Sequence, residues 1–229
     1  MKTLLFYFLA LAFIAGCSKA DNNYTGPIVV DPADTVPHPP VLPNIVIDSL
    51  PDTVGDSWTY LVNDTPYAFN SMGTPTQYNM TVTITGSIIL PGGINANTWL
   101  YTYPGGTDTQ YVFRKGDTVC FSPSQTISVY DMVKQYVLPL QLHHSWRYTP
   151  MSTQPVTIDS VADITVGPFT FKNSLRISGF AGRPDEWFNI REWAADKVGI
   201  VKKYLSTRNA TNNPFQHTVT WALLSYHLQ

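Results

Sequence analysis

The chain has 229 residues, of which 13% are charged and 13% are aromatic, and its formal net charge at pH 7 is −2. Lys and Arg are neither in excess nor clustered, so the sequence lacks the positive charge that neutralises phosphates, which excludes nucleic acid as an expected partner. Tyr, Thr, Val and Ile are frequent whereas Glu occurs only twice, and this composition favours strands over helices.

The first sixteen residues have the organisation of an export signal. Lys2 supplies a positive charge, the apolar run Leu4–Ile14 follows, and two small residues precede Cys17. The apolar run is shorter than the about 20 residues that a membrane span needs. We therefore predict a secretory signal peptide over residues 1–16.

The end of this segment, Ile14-Ala15-Gly16-Cys17, resembles the lipobox of bacterial lipoproteins. The resemblance implies that the Cys17 thiol carries a diacylglyceryl group and that its new amino terminus is acylated, typically by palmitate. Two or three acyl chains would attach the protein firmly to membrane lipid. Ser18 in place of Asp implies, by resemblance to the sorting rule of enteric lipoproteins, an outer-membrane location, periplasmic or surface-facing. A plain signal peptide with a chance cysteine is the alternative.

Residues 17–49 are predicted to form a flexible, semi-extended tether, because they lack periodicity and are rich in Asp, Asn and Pro. Several Asp-Ser/Thr-aliphatic tripeptides resemble the O-glycosylation sequon of exported Bacteroidota proteins. The resemblance is most credible in the tether, at Thr35 and Ser49, and whether any site is occupied stays open. The same tripeptide recurs in the folded part at Thr53, Thr118 and Ser160.

The remaining residues, 50–229, contain a degenerate repeat. Leu50-Pro51 is followed by Ser57-Trp58-Thr59-Tyr60, and Leu138-Pro139 is followed at the same spacing by Ser145-Trp146-Arg147-Tyr148. The pattern predicts two related halves, 50–137 and 138–229, with Trp58 and Trp146 in equivalent core positions. Two unrelated strands that each begin with an aromatic residue are the alternative.

Both halves continue with strand signals. Met80, Val82 and Ile84 alternate with threonines, and a Lys-Gly-Asp turn at 115–117 separates two short apolar runs as in a hairpin. Alternation also marks the last segment, Val219–Tyr226, and no window shows a helical stripe. Residues 131–137 fit either one helical turn or a strand. We predict an all-β fold, an antiparallel curved sheet or open barrel built from the two halves.

Few residues indicate chemistry. Cys120 lies in an apolar strand-like run and has no disulfide partner if Cys17 carries lipid, so we interpret it as a buried structural cysteine. The pair His143-His144 precedes a strand on which neighbouring side chains diverge, which favours turn or surface histidines over a metal site. His217 and His227 would likewise need distant partners. We expect no metal and no cofactor.

Glu186 and Glu192, the only glutamates, flank aromatic residues as the acids of a glycosidase cleft do. The even spacing on one strand favours the simpler interpretation that both lie on a solvent face. Ser57 and Ser145 are outside any Gly-x-Ser-x-Gly motif, and no phosphate-binding Gly-rich loop occurs. We therefore assign no catalytic residue and expect a protein that is not an enzyme.

The chain as a whole resembles uncharacterised Bacteroidota-type outer-membrane lipoproteins. The resemblance rests on the lipobox, the Asp/Pro-rich tether, the segment Gly55-Asp56-Ser57-Trp58-Thr59-Tyr60 and the run Val198-Gly199-Ile200-Val201-Lys202. The second half departs from the pattern, with His143 where the glycine would stand, so its turn is expected to differ. The resemblance implies no reaction.

These observations lead to a functional expectation with an alternative. We expect a membrane-anchored, non-enzymatic cell-envelope lipoprotein that binds an apolar ligand or lipid in the concavity of its sheet. The alternative is a surface module that binds a glycan or a protein through exposed Trp and Tyr, and an enzyme centred on Glu186 and Glu192 ranks third. The sequence assigns no ligand-binding residue. An enclosed apolar pocket would favour lipid, and an aromatic strip rimmed by Asn and Asp would favour glycan.

Overall fold

The computed structural model describes residues 44–68, 71–126, 134–149, 152, 154–183, 186–209 and 216–229, all within one compact unit, Pro43–Gln229. The predicted signal peptide, Cys17 and most of the tether, including Thr35, lie outside the described residues. Ser49 lies within them and is exposed.

Twelve of the described strands form one antiparallel sheet, to which each half of the chain contributes six consecutive neighbours. The first six are β2 (Ser57–Thr65), β5 (Thr76–Leu90), β6 (Ile94–Tyr103), β7 (Gly106–Lys115), β8 (Thr118–Ser122) and β9 (Lys134–Val137). The second six are β11 (Ser145–Arg147), β12 (Pro155–Val166), β13 (Phe169–Arg183), β14 (Glu186–Ala195), β15 (Gly199–Asn209) and β16 (Gln216–His227). Two minor pairs complete the fold, β1 (Val46–Ile47) with β10 (Leu140–Gln141), and β3 (Tyr67–Ala68) with β4 (Ser71–Met72).

The sheet curls into a nearly closed barrel. Its first and last strands in sequence, β2 and β16, pair directly and join the halves. The two edge strands, β9 and β11, also approach each other: the Gln135 amide donates to the Tyr148 carbonyl at 2.7 Å, and the Trp146 indole donates to the Gln135 carbonyl at 2.7 Å. The predicted all-β, antiparallel, open-barrel class is confirmed, and the ambiguous segment is a strand over Lys134–Val137.

Period-two alternation decides which side chains face inward. Trp58, Tyr60 and Val62 on β2 are buried, and so are the predicted inward residues of β5, Met80, Val82 and Ile84. Trp58 and Trp146 are 2% and 7% exposed, and the Trp58 indole donates to the Val198 carbonyl at 2.8 Å. Both tryptophans therefore lie in the core, as predicted, and the duplication of the two halves stays a prediction.

The residues that precede β2 close over the barrel. Ile47 and Leu50 are buried against the core. Asp56 is buried at the start of the first half, where its carboxylate accepts hydrogen bonds from the Thr53 amide at 3.0 Å and from the Gln229 amide at 2.9 Å. This carboxylate ties the beginning of the barrel to the end of the chain.

Candidate functional site

A buried carboxylate stands at the centre of the barrel. Glu192 on β14 is 0% exposed because it shares the inward register with Ile190 and Ala194. The expectation that Glu186 and Glu192 share a solvent face is therefore wrong for Glu192. The Glu186 side chain lies outside the described residues, and an enzyme centred on the two acids stays the third-ranked hypothesis.

Four side chains from both halves surround this carboxylate. Oε2 accepts a hydrogen bond from the Tyr136 hydroxyl at 2.6 Å, and Oε1 accepts one from the Tyr148 hydroxyl at 2.9 Å. The Lys203 ammonium, from the neighbouring strand β15, lies 3.1 Å from Oε1, and the Lys134 ammonium, from β9, lies 3.8 Å from it. Two cations and one anion thus share the same part of the interior.

This environment sets the charges of the cluster. Burial by itself raises the pKa of Glu192, but the ammonium groups of Lys134 and Lys203 and the two tyrosine hydroxyls lower it to about 2. Burial lowers the pKa of Lys134 to about 8, although Glu192 opposes this effect. Burial, reinforced by the charge of Glu192, raises the pKa of Tyr136 and Tyr148 well above its ordinary value. With both lysines protonated, the cluster carries one net positive charge.

Aromatic rings pack against one another beside the charged cluster. The Trp99 ring stacks on Trp58 at 5.1 Å between ring centroids and meets the edge of Phe121 at 5.3 Å, and Phe121 in turn contacts Tyr136 at 5.6 Å. A cavity of about 40 Å³ remains beside the charged cluster, lined by Lys134, Glu192, Lys203, Trp99, Tyr101 and Trp221 among others. A space of this size holds one or two water molecules. This cavity is therefore too small for a lipid, and the expected binding of an apolar ligand or lipid in the concavity of the sheet stays a prediction.

A larger groove opens next to this cavity. It has a volume of about 630 Å³ and lies between the segment Leu50–Asp52 and residues of β5 to β8. Its apolar lining includes Pro51, Ile94, Ala96, Trp99, Val112, Phe113 and Phe121, and its polar lining is Asp52, Ser87, Asn95, Asn97 and Arg114. Leu50, Pro51, Trp99 and Phe121 line both the groove and the small cavity.

The polar residues of the groove hold its wall in place. Arg114 forms an ion pair of 3.6 Å with the Asp52 carboxylate, and the Asn97 side-chain amide donates to the Asp52 main-chain carbonyl at 2.5 Å. Ser87 in turn donates to the Asn97 side-chain oxygen at 2.6 Å. The segment that follows the predicted tether is thereby fastened to the rim of the barrel.

A second surface depression, of about 350 Å³, lies on the outer face of β12 to β14. Arg176 binds Asp159 through two hydrogen bonds of 2.7 and 3.0 Å, Ser178 donates to the same carboxylate, and Asn189 and Arg191 complete the polar lining. Phe180, 47% exposed, also lines the depression.

Cys120 and the histidines are the other residues that the sequence singled out. Cys120 is buried and free, as predicted, and burial raises its pKa. His143 is exposed in the turn before β11, and the His217 ring is hydrogen-bonded to Asp64 at 2.5 Å. His227 lies at the end of β16. Within the described ranges, no three His, Cys, Asp or Glu side chains are grouped as metal ligands.

Sequence reasoning did not identify Lys134, Tyr136, Tyr148 and Lys203 as neighbours of Glu192. One signal was available: Val201 and Lys203 are two apart on a strand, so a lysine shares the register of a buried valine. The register alone does not indicate a partner, because the carboxylate lies on another strand.

No protein-family model matches the sequence, and a search of curated proteins finds no significant match. The chain is similar to a crystal structure described as "a putative lipoprotein from Parabacteroides distasonis ATCC 8503", with a TM-score of 0.40 and 14% sequence identity over 80% of this chain and 100% of that chain. The part of the chain that the structure describes has no helix of sufficient length and hydropathy to span a bilayer.

Proposed function

We propose that the protein is a non-enzymatic lipoprotein of the cell envelope, anchored in the outer membrane through Cys17, that binds an amphipathic ligand in the groove beside Leu50–Asp52. The observation that carries the binding proposal is the groove itself. Its volume of about 630 Å³ lies within the range of roughly 300–1,000 Å³ that small-molecule sites occupy.

The lining of the groove suits a ligand that has both apolar and polar parts. Phe113, Val112 and Ile94 offer apolar contact, whereas Asn95, Asn97 and Arg114 provide hydrogen-bond donors. Sites for small molecules commonly combine a mainly apolar lining with a few placed polar groups. The groove, and not the cavity beside the charged cluster, is the proposed location, because that cavity has a volume of only about 40 Å³.

The proposed anchor and the proposed site are adjacent in sequence. The wall segment Leu50–Asp52 directly follows the predicted tether, and it is buried or fastened to the rim through Leu50 and Asp52. A lipid at Cys17 would keep the groove in the envelope, where amphipathic molecules are abundant.

The ligand proposal is tested with the full chain carrying Cys17→Ser, which cannot be acylated. Dodecanoate, as a probe, is titrated against this protein by isothermal calorimetry. Asn95→Trp places a large ring at the groove and is expected to weaken binding at least tenfold. Asn79→Trp, an exposed position on β5 outside the groove, is the matched control and should bind as the parent does. Equal affinity of both variants, or no binding by the parent, would contradict the proposal.

The anchor proposal has its own test. Mass spectrometry of the mature protein is expected to find a diacylglyceryl and acyl-modified Cys17 at the amino terminus, with residues 1–16 removed. A mature protein with an unmodified Cys17 would overturn it. Fractionation of the envelope then checks the outer-membrane location, and protease treatment of intact cells shows which side the folded part faces.

A second candidate function rests on the outer depression of β12 to β14. Phe180 is exposed beside Asp159, Arg176 and Asn189, a combination of one ring and several polar groups that can hold a sugar. Under this proposal, Phe180→Ala abolishes binding to a glycan array while dodecanoate binding is unchanged. An array without any positive glycan would remove this candidate.

A further inference from the structure

The charged cluster at the centre of the barrel has more hydrogen-bond donors than acceptors. The charged residues that line the small cavity are Lys134 on β9, Glu192 on β14 and Lys203 on β15. The described lining residues from the other elements, which are the segment before β2 and strands β2, β5, β6, β8 and β16, carry no charge. Two ammonium groups therefore face a single carboxylate, and one positive charge is not compensated.

The carboxylate is closer to one ammonium group than to the other. Glu192 Oε2 accepts a hydrogen bond from Tyr136 at 2.6 Å, Oε1 accepts one from Tyr148 at 2.9 Å, and the Lys203 ammonium forms an ion pair of 3.1 Å with Oε1. The Lys134 ammonium is 3.8 Å from Oε1, which is longer than a hydrogen bond. It lies instead over aromatic rings, 4.7 Å from the centroid of Phe121 and 4.6 Å from that of Tyr136.

One neutral donor at the cavity lacks an acceptor. The indole Nε1–H of Trp99 is buried and has no hydrogen-bond partner among the described residues. The hydroxyls of Tyr60 and Tyr101 donate elsewhere, to the Ile200 carbonyl at 2.8 Å and to Gln110 at 3.2 Å. A buried donor without an acceptor is costly, so the missing partner is an acceptor.

We propose that the cavity binds one small monovalent anion, a halide or a carboxylate group, held by Lys134 and Lys203 in a pocket whose wall includes Trp99. The volume of about 40 Å³ admits a single small group of this kind. A water molecule would accept a hydrogen bond but would leave the extra positive charge uncompensated in a medium of low dielectric constant. An anion supplies both the acceptor and the charge.

The anion can come from two sources. It can be a free ion from solution, or it can be the head group of a molecule that occupies the groove, because Leu50, Pro51, Trp99 and Phe121 line both spaces. The inference itself rests on the charged cluster and does not depend on the proposed function of the groove.

The test uses the full chain carrying Cys17→Ser at fixed pH and ionic strength. Sodium gluconate, whose anion is too large for the cavity, is replaced stepwise by chloride, bromide or acetate. We expect a saturable rise of several degrees in the melting temperature and a change in tryptophan fluorescence with the small anions. Identical melting temperatures and spectra in all four salts would overturn the proposal, and water would then be the occupant.

Variants assign the effect to the cavity. Lys134→Met is expected to abolish the chloride-dependent shift, and Trp99→Phe, which keeps a ring but removes the N–H, is expected to weaken it. Lys172→Met removes an exposed lysine and should keep the full shift. Because Lys134→Met can fail to fold, a crystal of the parent grown in bromide provides a second measurement. An anomalous bromine peak between Lys134 and Lys203 supports the proposal, and a bromide-soaked cavity without such a peak refutes it.

A competition experiment separates the two sources and the two proposals. If chloride weakens dodecanoate binding, the head group of the groove ligand occupies the cavity. If the two bind independently, the anion is a free ion. If dodecanoate binds but chloride does not shift the melting temperature, the anion site is overturned and the groove proposal stands. If chloride shifts the melting temperature but dodecanoate does not bind, the groove proposal is overturned and the anion site stands.

Discussion

Gly55 and His143, which are 88 residues apart, both adopt a positive φ and make the same backbone contact. The Gly55 amide donates to the Ile84 carbonyl at 2.8 Å, and the His143 amide donates to the Ile158 carbonyl at 2.7 Å. In return, the Ile84 and Ile158 amides donate to the carbonyls of the residues that follow Gly55 and His143, both at 2.9 Å. The expectation that the second turn differs because histidine replaces glycine is therefore wrong for this part of the backbone.

The shared backbone geometry predicts that His143→Gly and Gly55→Ala have opposite effects on the free energy of unfolding. His143→Gly should raise the free energy of unfolding by up to about 1 kcal/mol, because glycine adopts φ 68° without strain. Gly55→Ala should lower it by more than 1 kcal/mol, since a Cβ there would lie 2.7 Å from the Gln229 side chain at a φ of 101°. Urea denaturation of both variants measures the difference. Gly86→Ala, where a Cβ meets nothing within 4 Å, controls for the added methyl group.

The two core tryptophans should be of similar importance. Trp58→Ala and Trp146→Ala are each expected to cost about 3–5 kcal/mol, as for other buried large aromatics. Each also removes an indole hydrogen bond, to Val198 or to Gln135. Ile89→Ala, at a position that is 74% exposed, should change the free energy of unfolding by less than about 0.5 kcal/mol in the same urea experiment. A loss below 1 kcal/mol for either tryptophan contradicts its burial.

Removing the charge of Glu192 should destabilise the barrel strongly. Glu192→Gln leaves the ammonium groups of Lys134 and Lys203 without a carboxylate, and breaking a buried ion pair in this way costs about 3–5 kcal/mol. Asp163→Asn, which breaks the exposed pair with Lys172, should cost much less, because solvent screens that pair. Equal losses in the two variants would show that the central carboxylate has no special role in stability.

The same carboxylate predicts a loss of stability in acid. Its pKa in the folded chain is about 2 against an ordinary value of 4.5, so the unfolded state binds the proton first as the pH falls. The contribution of Glu192 is complete above about pH 4.5 and is lost between pH 4.5 and 2, at about 1.4 kcal/mol per pH unit. Because exposed carboxylates titrate in the same range, the quantity to measure is the difference between the parent and Glu192→Gln, which should shrink across this window.

Lys134 predicts the opposite trend in alkali. Its pKa is about 8 in the folded chain and 10.5 ordinarily, so between these values the unfolded state holds a proton that the folded state has released. The contribution of Lys134 to the free energy of unfolding should therefore rise from pH 8 to about pH 10. Groups whose pKa burial raises act in the opposite direction: Cys120 above about pH 9, and Tyr136 and Tyr148 above about pH 10, keep protons that the unfolded chain loses. Chemical denaturation at each pH should show no such rise in Lys134→Met.

Part of the candidate site was accessible from sequence and part was not. The burial of Trp58, Trp146 and Cys120 follows from aromatic and apolar patterns along single strands. The wrong placement of Glu192 on a solvent face has a clear cause, because the period of a strand tells which residues share a face but not which face is inside. Hydrogen bonds from Tyr136 and Tyr148 and the ion pair with Lys203 offset the free-energy cost of burying the Glu192 carboxylate.

The sequence by itself determined local features of the fold, namely the strand alternation of Met80, Val82 and Ile84 and the hairpin at 115–117, whereas the signal peptide over residues 1–16 stays a prediction. These features depend on residues a few positions apart, so periodicity and turn chemistry suffice to predict them. Tertiary structure alone decided the charged cluster, the small cavity beside it and the groove. Lys134 and Glu192 are 58 residues apart, and only the curling of the sheet brings strands β9 and β14 face to face across the barrel.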